Sequence, residues 1–123
     1  MQFNRDPLSP ATIRSVERGQ LVIGDREIDS TVALTTRGVV DDWQETPLTA
    51  LSVDGLSDIL ADRPDVIIIG YGWTSARPPN ELTFALARRG IGLEVMDTPA
   101  ACRTFNILLA EDRRPAALLY LGS

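Results

Sequence analysis

Four consecutive apolar, β-branched residues, Val66-Ile67-Ile68-Ile69, constrain this 123-residue chain more than any other stretch. They are entered through Arg63-Pro64-Asp65 and stopped by Gly70. A run this uniform has no polar face to offer water, so it predicts a strand buried on both sides, as in a parallel sheet covered by two layers. A helix-period segment runs on to Arg88-Arg89-Gly90, and a second strand, Leu93-Glu94-Val95-Met96, follows. Strand, helix, strand implies a right-handed crossover joining two parallel strands. In open α/β sheets, crevices for ligands or partners lie at the carboxyl ends of such strands. Those ends are Gly70-Tyr71-Gly72, with Trp73 beyond, and Asp97-Thr98, so the candidate site is centred there.

Composition bounds the rest. At 123 residues, with 44% hydrophobic and 24% charged residues, the chain has the balance of an ordinary globular protein. One domain spanning residues 1–123 is expected. No apolar run reaches spanning length and no secretory pattern is present, so membrane insertion is not expected and a cytoplasmic location is. A single cysteine, Cys102, excludes an internal disulfide and fits a reducing compartment. The net charge of −5 argues against nucleic acid as a partner, because phosphate neutralisation needs a basic face. All twelve basic residues are Arg, and there is no His. The missing His removes the commonest general base and the commonest metal ligand.

Taken in order, the first half reads as β-rich. Met1 to Ala11, with Asp6-Pro7 and Ser9-Pro10, is an extended lead-in. Thr12 to Glu17, Leu21-Val22-Ile23 and Glu27 to Asp29 form a meander turned by Arg18-Gly19 and Gly24-Asp25. Thr31 to Leu34 is the next strand. Gly38-Val39-Val40 and Trp43 lie in a connector leading through Pro47 to a short strand at Thr49 to Leu51. Ser52 is the expected N-cap of a first helix with Val53, Leu56, Ile59 and Leu60 on its apolar stripe, ended by Pro64. A second helix begins near Pro78-Pro79, buries Leu82, Ala85 and Leu86, and closes at Gly90. Phe84 falls on its far side, to be covered by a loop or terminal segment or to meet a partner. Ala116 to Leu121 is too apolar for a tail and is expected to be a strand of the main sheet.

The third helix carries the most legible chemistry. Thr98 precedes Pro99, which makes Thr98 the expected N-cap and Pro99 the first helical residue. At about 100° per residue, Ala101, Phe105, Leu108 and Leu109 share the core face. Cys102, Arg103 and Asn106 form a polar stripe beside it, leaning toward the crevice with Tyr71 and Trp73. Two readings stand for that stripe: a hold on a ligand, or hydrogen bonds that tie down nearby loops. Glu94 and Asp97 are the internal carboxylates close enough in sequence to compete for the planar donor fork of Arg103.

Gly70-Tyr71-Gly72, then Gly90 to Thr98, then Ala100-Ala101-Cys102-Arg103-Thr104-Phe105-Asn106 resembles the Mth938-like (DUF498) family. The resemblance covers most of the chain and departs from it at Pro99, Phe105 and Asp112. It implies a three-layer α/β fold, with a mixed central β-sheet, helices on one side and an additional β and helical layer on the other. The family includes a eukaryotic branch associated with assembly of mitochondrial respiratory complex I, and it brings no catalytic residues to carry over. Rival motifs are weaker. Ser75 replaces the third glycine of a dinucleotide fingerprint, and two prolines intervene before the helix. Cys102 has no His to activate it, zinc would have one ligand, and no EF-hand spacing occurs. No catalytic residue, metal or cofactor is therefore expected. Two function classes remain: a noncatalytic accessory or assembly factor that binds a protein partner as a monomer or weak homodimer, and a small-molecule binder or enzyme working in the strand-end crevice.

Overall fold

The computed structural model describes residues 9–122, so most of the extended lead-in read at Met1 to Ala11 lies outside the described residues. The run at the centre of the sequence forms β6 (Val66–Gly70), and all five of its residues are buried. It lies inside a five-stranded sheet built with β4 (Val32–Thr35), β5 (Gly38–Val39), β7 (Gly92–Met96) and β8 (Pro115–Leu119), in the order β5-β4-β8-β6-β7. β6 pairs in parallel with β7 and β8, while β4 runs antiparallel to β8 and β5, so the sheet is mixed.

Alternation along the strands explains why both faces need cover. Val66 and Ile68 of β6, Ala117 and Leu119 of β8, and Val32 and Leu34 of β4 face one core. α3 (Thr98–Ala110) and the three-stranded meander β1 (Ile13–Glu17), β2 (Gln20–Ile23) and β3 (Arg26–Ile28) close that core. Ile67 and Ile69, Ala116 and Leu118, and Ala33 face the other core. α1 (Ser57–Leu60) and α2 (Asn80–Ala87) cover it through Ile59, Leu82 and Leu86, together with the turns before α1. The three layers are therefore helices, mixed sheet, and a layer of meander plus helix. Each fully buried Leu, Ile or Phe contributes about 1.5–3 kcal/mol, and the central sheet collects that term on both faces.

The meander and the parallel pair form where the sequence places them, and the final strand runs over Pro115–Leu119, so Tyr120 and Leu121, expected within it, lie past its end. Gly19 and Gly24 take positive φ at the two meander turns, and Gly90 does so after α2. Three local expectations are corrected. Thr49 to Leu51 is not a strand; Leu48–Ala50 coils into a 3-10 turn, with Ala50 N donating to Pro47 O at 2.8 Å. The first helix shrinks to a 3-10 turn over Val53–Leu56 followed by the single turn of α1, and Ser52 makes no side-chain cap bond. Ser and Asp side chains in that stretch compete with helical hydrogen bonding and Gly55 adds backbone entropy, so it is held by the buried Leu56 and Ile59, with Val53 and Leu60 packed beside them. Gly38-Val39 is a strand rather than a connector, forming a hairpin with β4. Phe84 is 61% exposed, so no described segment covers it.

Candidate functional site

β6 ends at Gly70, and a side chain there would have no room. A Cβ on Gly70 would stand 2.8 Å from both the Cα and the Oγ1 of Thr98, and 3.0 Å from the Cβ of Ala101. The glycine thus lets the first turn of α3 abut the sheet. Gly72, at φ +95°, turns the chain so that its N–H donates to Thr98 Oγ1 at 2.8 Å. The Thr98 hydroxyl donates in turn to the Tyr120 carbonyl at 2.7 Å, and Thr98 N donates to Gly72 O at 3.1 Å. Thr98 is fully buried and joins the ends of β6 and β8 to the start of α3. The space expected beside Gly70 and Gly72 is therefore filled by the protein's own threonine.

This changes the capping assignment. With its hydroxyl drawn into the sheet, Thr98 is the first helical residue, and Asp97 is the N-cap, its Oδ1 accepting from Ala100 N at 2.8 Å. Pro99 moves to the second position, where its missing N–H still costs nothing.

The residues of the expected polar stripe do not converge on one opening. Cys102 belongs to the core, 3% exposed, and burial pushes its thiol up to about 12 against the small opposing effect of the Arg103 charge. Asn106 turns toward the meander, where Oδ1 accepts from Ile13 N at 3.0 Å and Nδ2 donates to Ile13 O at 2.8 Å. Arg103 and Glu94 are exposed, and neither has an ion pair among the described residues. The two aromatic residues part company. Trp73 packs on the α3 side under the guanidinium of Arg18, 5.7 Å from the ring centre, and Tyr71 packs toward the α2 side.

The opening at the strand ends lies instead between β6 and β8. From β6 the chain passes over one face to β7, then returns across the other face to β8, which lies on the opposite flank of β6. That reversal makes a switch point, where two crossovers diverge and leave a gap. A depression of about 340 Å³ occupies it, lined after β6 by Tyr71, Thr74, Ser75 and Ala76 and after β8 by Tyr120 and Gly122. Thr31, Glu45 and Leu48 complete the wall. Tyr120 Oη donates to Thr46 O at 2.7 Å, and its phenol is pushed above its usual range by burial and by the neighbouring Glu45 charge. The lining presents hydroxyls and one carboxylate, a set suited to holding hydrogen-bond donors or a cationic group. Sequence reasoning missed Glu45, Thr74, Ser75 and Tyr120 because strand order depends on non-local pairing. The one available signal was the strand character of Ala116 to Leu121, without its neighbour. Among the described residues no three His, Cys, Asp or Glu side chains are grouped to hold a metal ion.

Fold and strand-end geometry together define a small three-layer α/β protein with a polar opening at its switch point. Residues 13–120 match the family described as "Protein of unknown function (DUF498/DUF598)". The chain belongs to that family. Its backbone is similar to that of a Bordetella pertussis protein described as a Mth938-like domain, with a TM-score of 0.78 and 24% identity over 100% of this chain and 94% of that one. It is 34% identical over 104 residues to human NADH dehydrogenase [ubiquinone] 1 alpha subcomplex assembly factor 3, covering 83% of this chain and 55% of that protein. This chain thus spans about half the length of that assembly factor. It is also 26% identical over 113 residues to the 13 kDa major membrane protein of Francisella tularensis, covering 90% of this chain and 91% of that one. Among the described residues of this chain, no helix is long and apolar enough to cross a membrane.

Proposed function

We propose that this chain is a noncatalytic accessory protein that works by binding a protein partner, in the manner of an assembly factor. The observation that carries this reading is its 34% identity, over 83% of its own length, to a human protein named as an assembly factor. The chemistry of the residues supports it. The sequence has no His, the one thiol is buried and held protonated, and the Thr98 hydroxyl is consumed in a structural bridge. A cytoplasmic setting goes with this reading, supported by the free cysteine.

The depression between β6 and β8 favours a second reading, in which a small polar or cationic molecule binds at the switch point. One pair of measurements separates the two. Tagged chain recovered from its native host should carry a partner that stays with it in a defined ratio through size exclusion. A metabolite panel should leave the melting temperature unchanged. A metabolite that raises the melting temperature, with that rise lost in Glu45→Gln, would establish the second reading instead.

A further inference from the structure

β7 closes one edge of the five-stranded sheet, and β6 is its single strand neighbour among the described residues. The bonds at its two ends fix the direction of its backbone groups. Gly92 N donates to Asp65 O at 3.2 Å, and Met96 O accepts from Tyr71 N at 2.8 Å. In a parallel ladder the residues that bond one neighbour alternate with those that face away. Gly92, Glu94 and Met96 therefore bond β6, while Leu93 and Val95 direct their N–H and C=O groups outward. Those two donors and two acceptors have no hydrogen-bond partner among the described residues. The half-buried side chains of Leu93 and Val95 pack against the α2-side core, which anchors this edge to the rest of the sheet. Glu94, exposed and without an ion pair among the described residues, stands midway between them.

We propose that β7 is a docking edge that receives an extended, basic segment of a protein partner as a sixth strand. This rests on the partner-binding reading above and names the surface and the chemistry that the partner must present. An antiparallel strand bonded to Leu93 and Val95 sets its central residue opposite Glu94 in a non-hydrogen-bonded pair, where side chains approach most closely. An Arg or Lys there completes the charge, and apolar residues flanking it meet the edge of the core. A second copy of this chain is a poor occupant. The antiparallel register that satisfies all four outward groups sets Glu94 against Glu94, and like charges directly opposite each other repel.

The probe is a nine-residue peptide alternating Thr and Val around a central Arg, compared with a twin carrying Glu at the centre. Amide resonances of the intact chain report on binding. The Arg-centred peptide should shift the Leu93 and Val95 amides and bind at least tenfold more tightly than its twin, with the preference reversed in Glu94→Arg. Val95→Pro removes an outward N–H while leaving the inward ladder untouched, a substitution that edge strands tolerate, and it should abolish the shifts. Shifts that persist in Val95→Pro, or equal binding of both peptides, would overturn the proposal. So would absence of peptide binding together with self-association of Glu94→Val, since Glu94 would then serve only to keep copies apart. Recovery from the native host separates this idea from the reading beneath it. A partner retained by the intact chain and lost from Val95→Pro supports the edge. A partner retained equally by both overturns the edge and leaves partner binding standing, and a partner recovered by neither overturns both.

Discussion

Replacing Thr98 by Val removes one oxygen and almost nothing else, which makes it the sharpest perturbation of the strand-end geometry. Valine keeps the shape and the β-branched rotamer, and Asp97 still caps α3 through Ala100 N. Two bonds are lost, from Gly72 N at 2.8 Å and to Tyr120 O at 2.7 Å, in a place where Thr98 is fully buried. The Gly72 N–H, left without an acceptor away from water, costs about 1–3 kcal/mol, and the lost bond to Tyr120 O about 1 more. Thr98→Val should therefore destabilise by about 2–4 kcal/mol. Thr98→Ser keeps both bonds and loses a buried methyl group, for about 1 kcal/mol. Urea unfolding followed by circular dichroism measures both, and an unchanged slope would place the effect in the folded state. If Thr98→Val came within 0.5 kcal/mol of the native chain (roughly the noise expected of a neutral change), or Thr98→Ser proved equally costly, the hydroxyl bridge would not be what joins α3 to the sheet.

Asn106→Ala should cost about 2 kcal/mol by orphaning the N–H and C=O of Ile13; hydrogen exchange should speed up along β1 more than along β6. Arg103→Ala, with no ion pair among the described residues, should leave the melting temperature nearly unchanged. The Cys102 thiol is raised from 9.0 to about 12, so the unfolded chain releases that proton first. The stabilisation is fully present below about pH 9 and is lost as the pH rises toward about 12, and Cys102→Ala should flatten that part of the stability profile. Native protein should resist alkylation at neutral pH and react once denatured, a difference that thiol titration reads directly. Removing residues 115–123 deletes β8 and should abolish cooperative unfolding; a sharp melt of the shortened chain would contradict its central place.

What the sequence made legible was whatever local pattern decides. Val66 to Ile69 could only be a strand with two covered faces, because none of its side chains tolerates water on either side. Gly19, Gly24 and Gly90 marked turns through their own backbone freedom. Misreadings arose where a distant group took over. Asp97 and Thr98 can both cap a helix, and the choice between them was made by Gly72 and Tyr120, far away in the chain. Asn106 left two readings open, a hold on a ligand or a tie to a nearby segment, and Ile13, 93 positions distant, supplies the tie. The polar stripe on α3 was real as a helical geometry, yet burial claimed Cys102, the meander claimed Asn106, and solvent kept Arg103. The switch-point opening needed the pairing of β6 with β8, which no local pattern contains.

Among the described residues β8 is the last strand in chain order, and it lies between β4 and β6. Until it docks, the antiparallel hairpin of β4 and β5 and the parallel pair of β6 and β7 share no hydrogen bond across the sheet. Two half-sheets therefore wait for one keystone, each with a raw edge and a bare apolar face. A nascent chain passes through that state after β7 is made and before β8 follows, and pairings this distant in sequence close slowly. The interval before Pro115–Leu119 arrives is when this protein is most exposed to misassembly, and when a chaperone would find the most to hold.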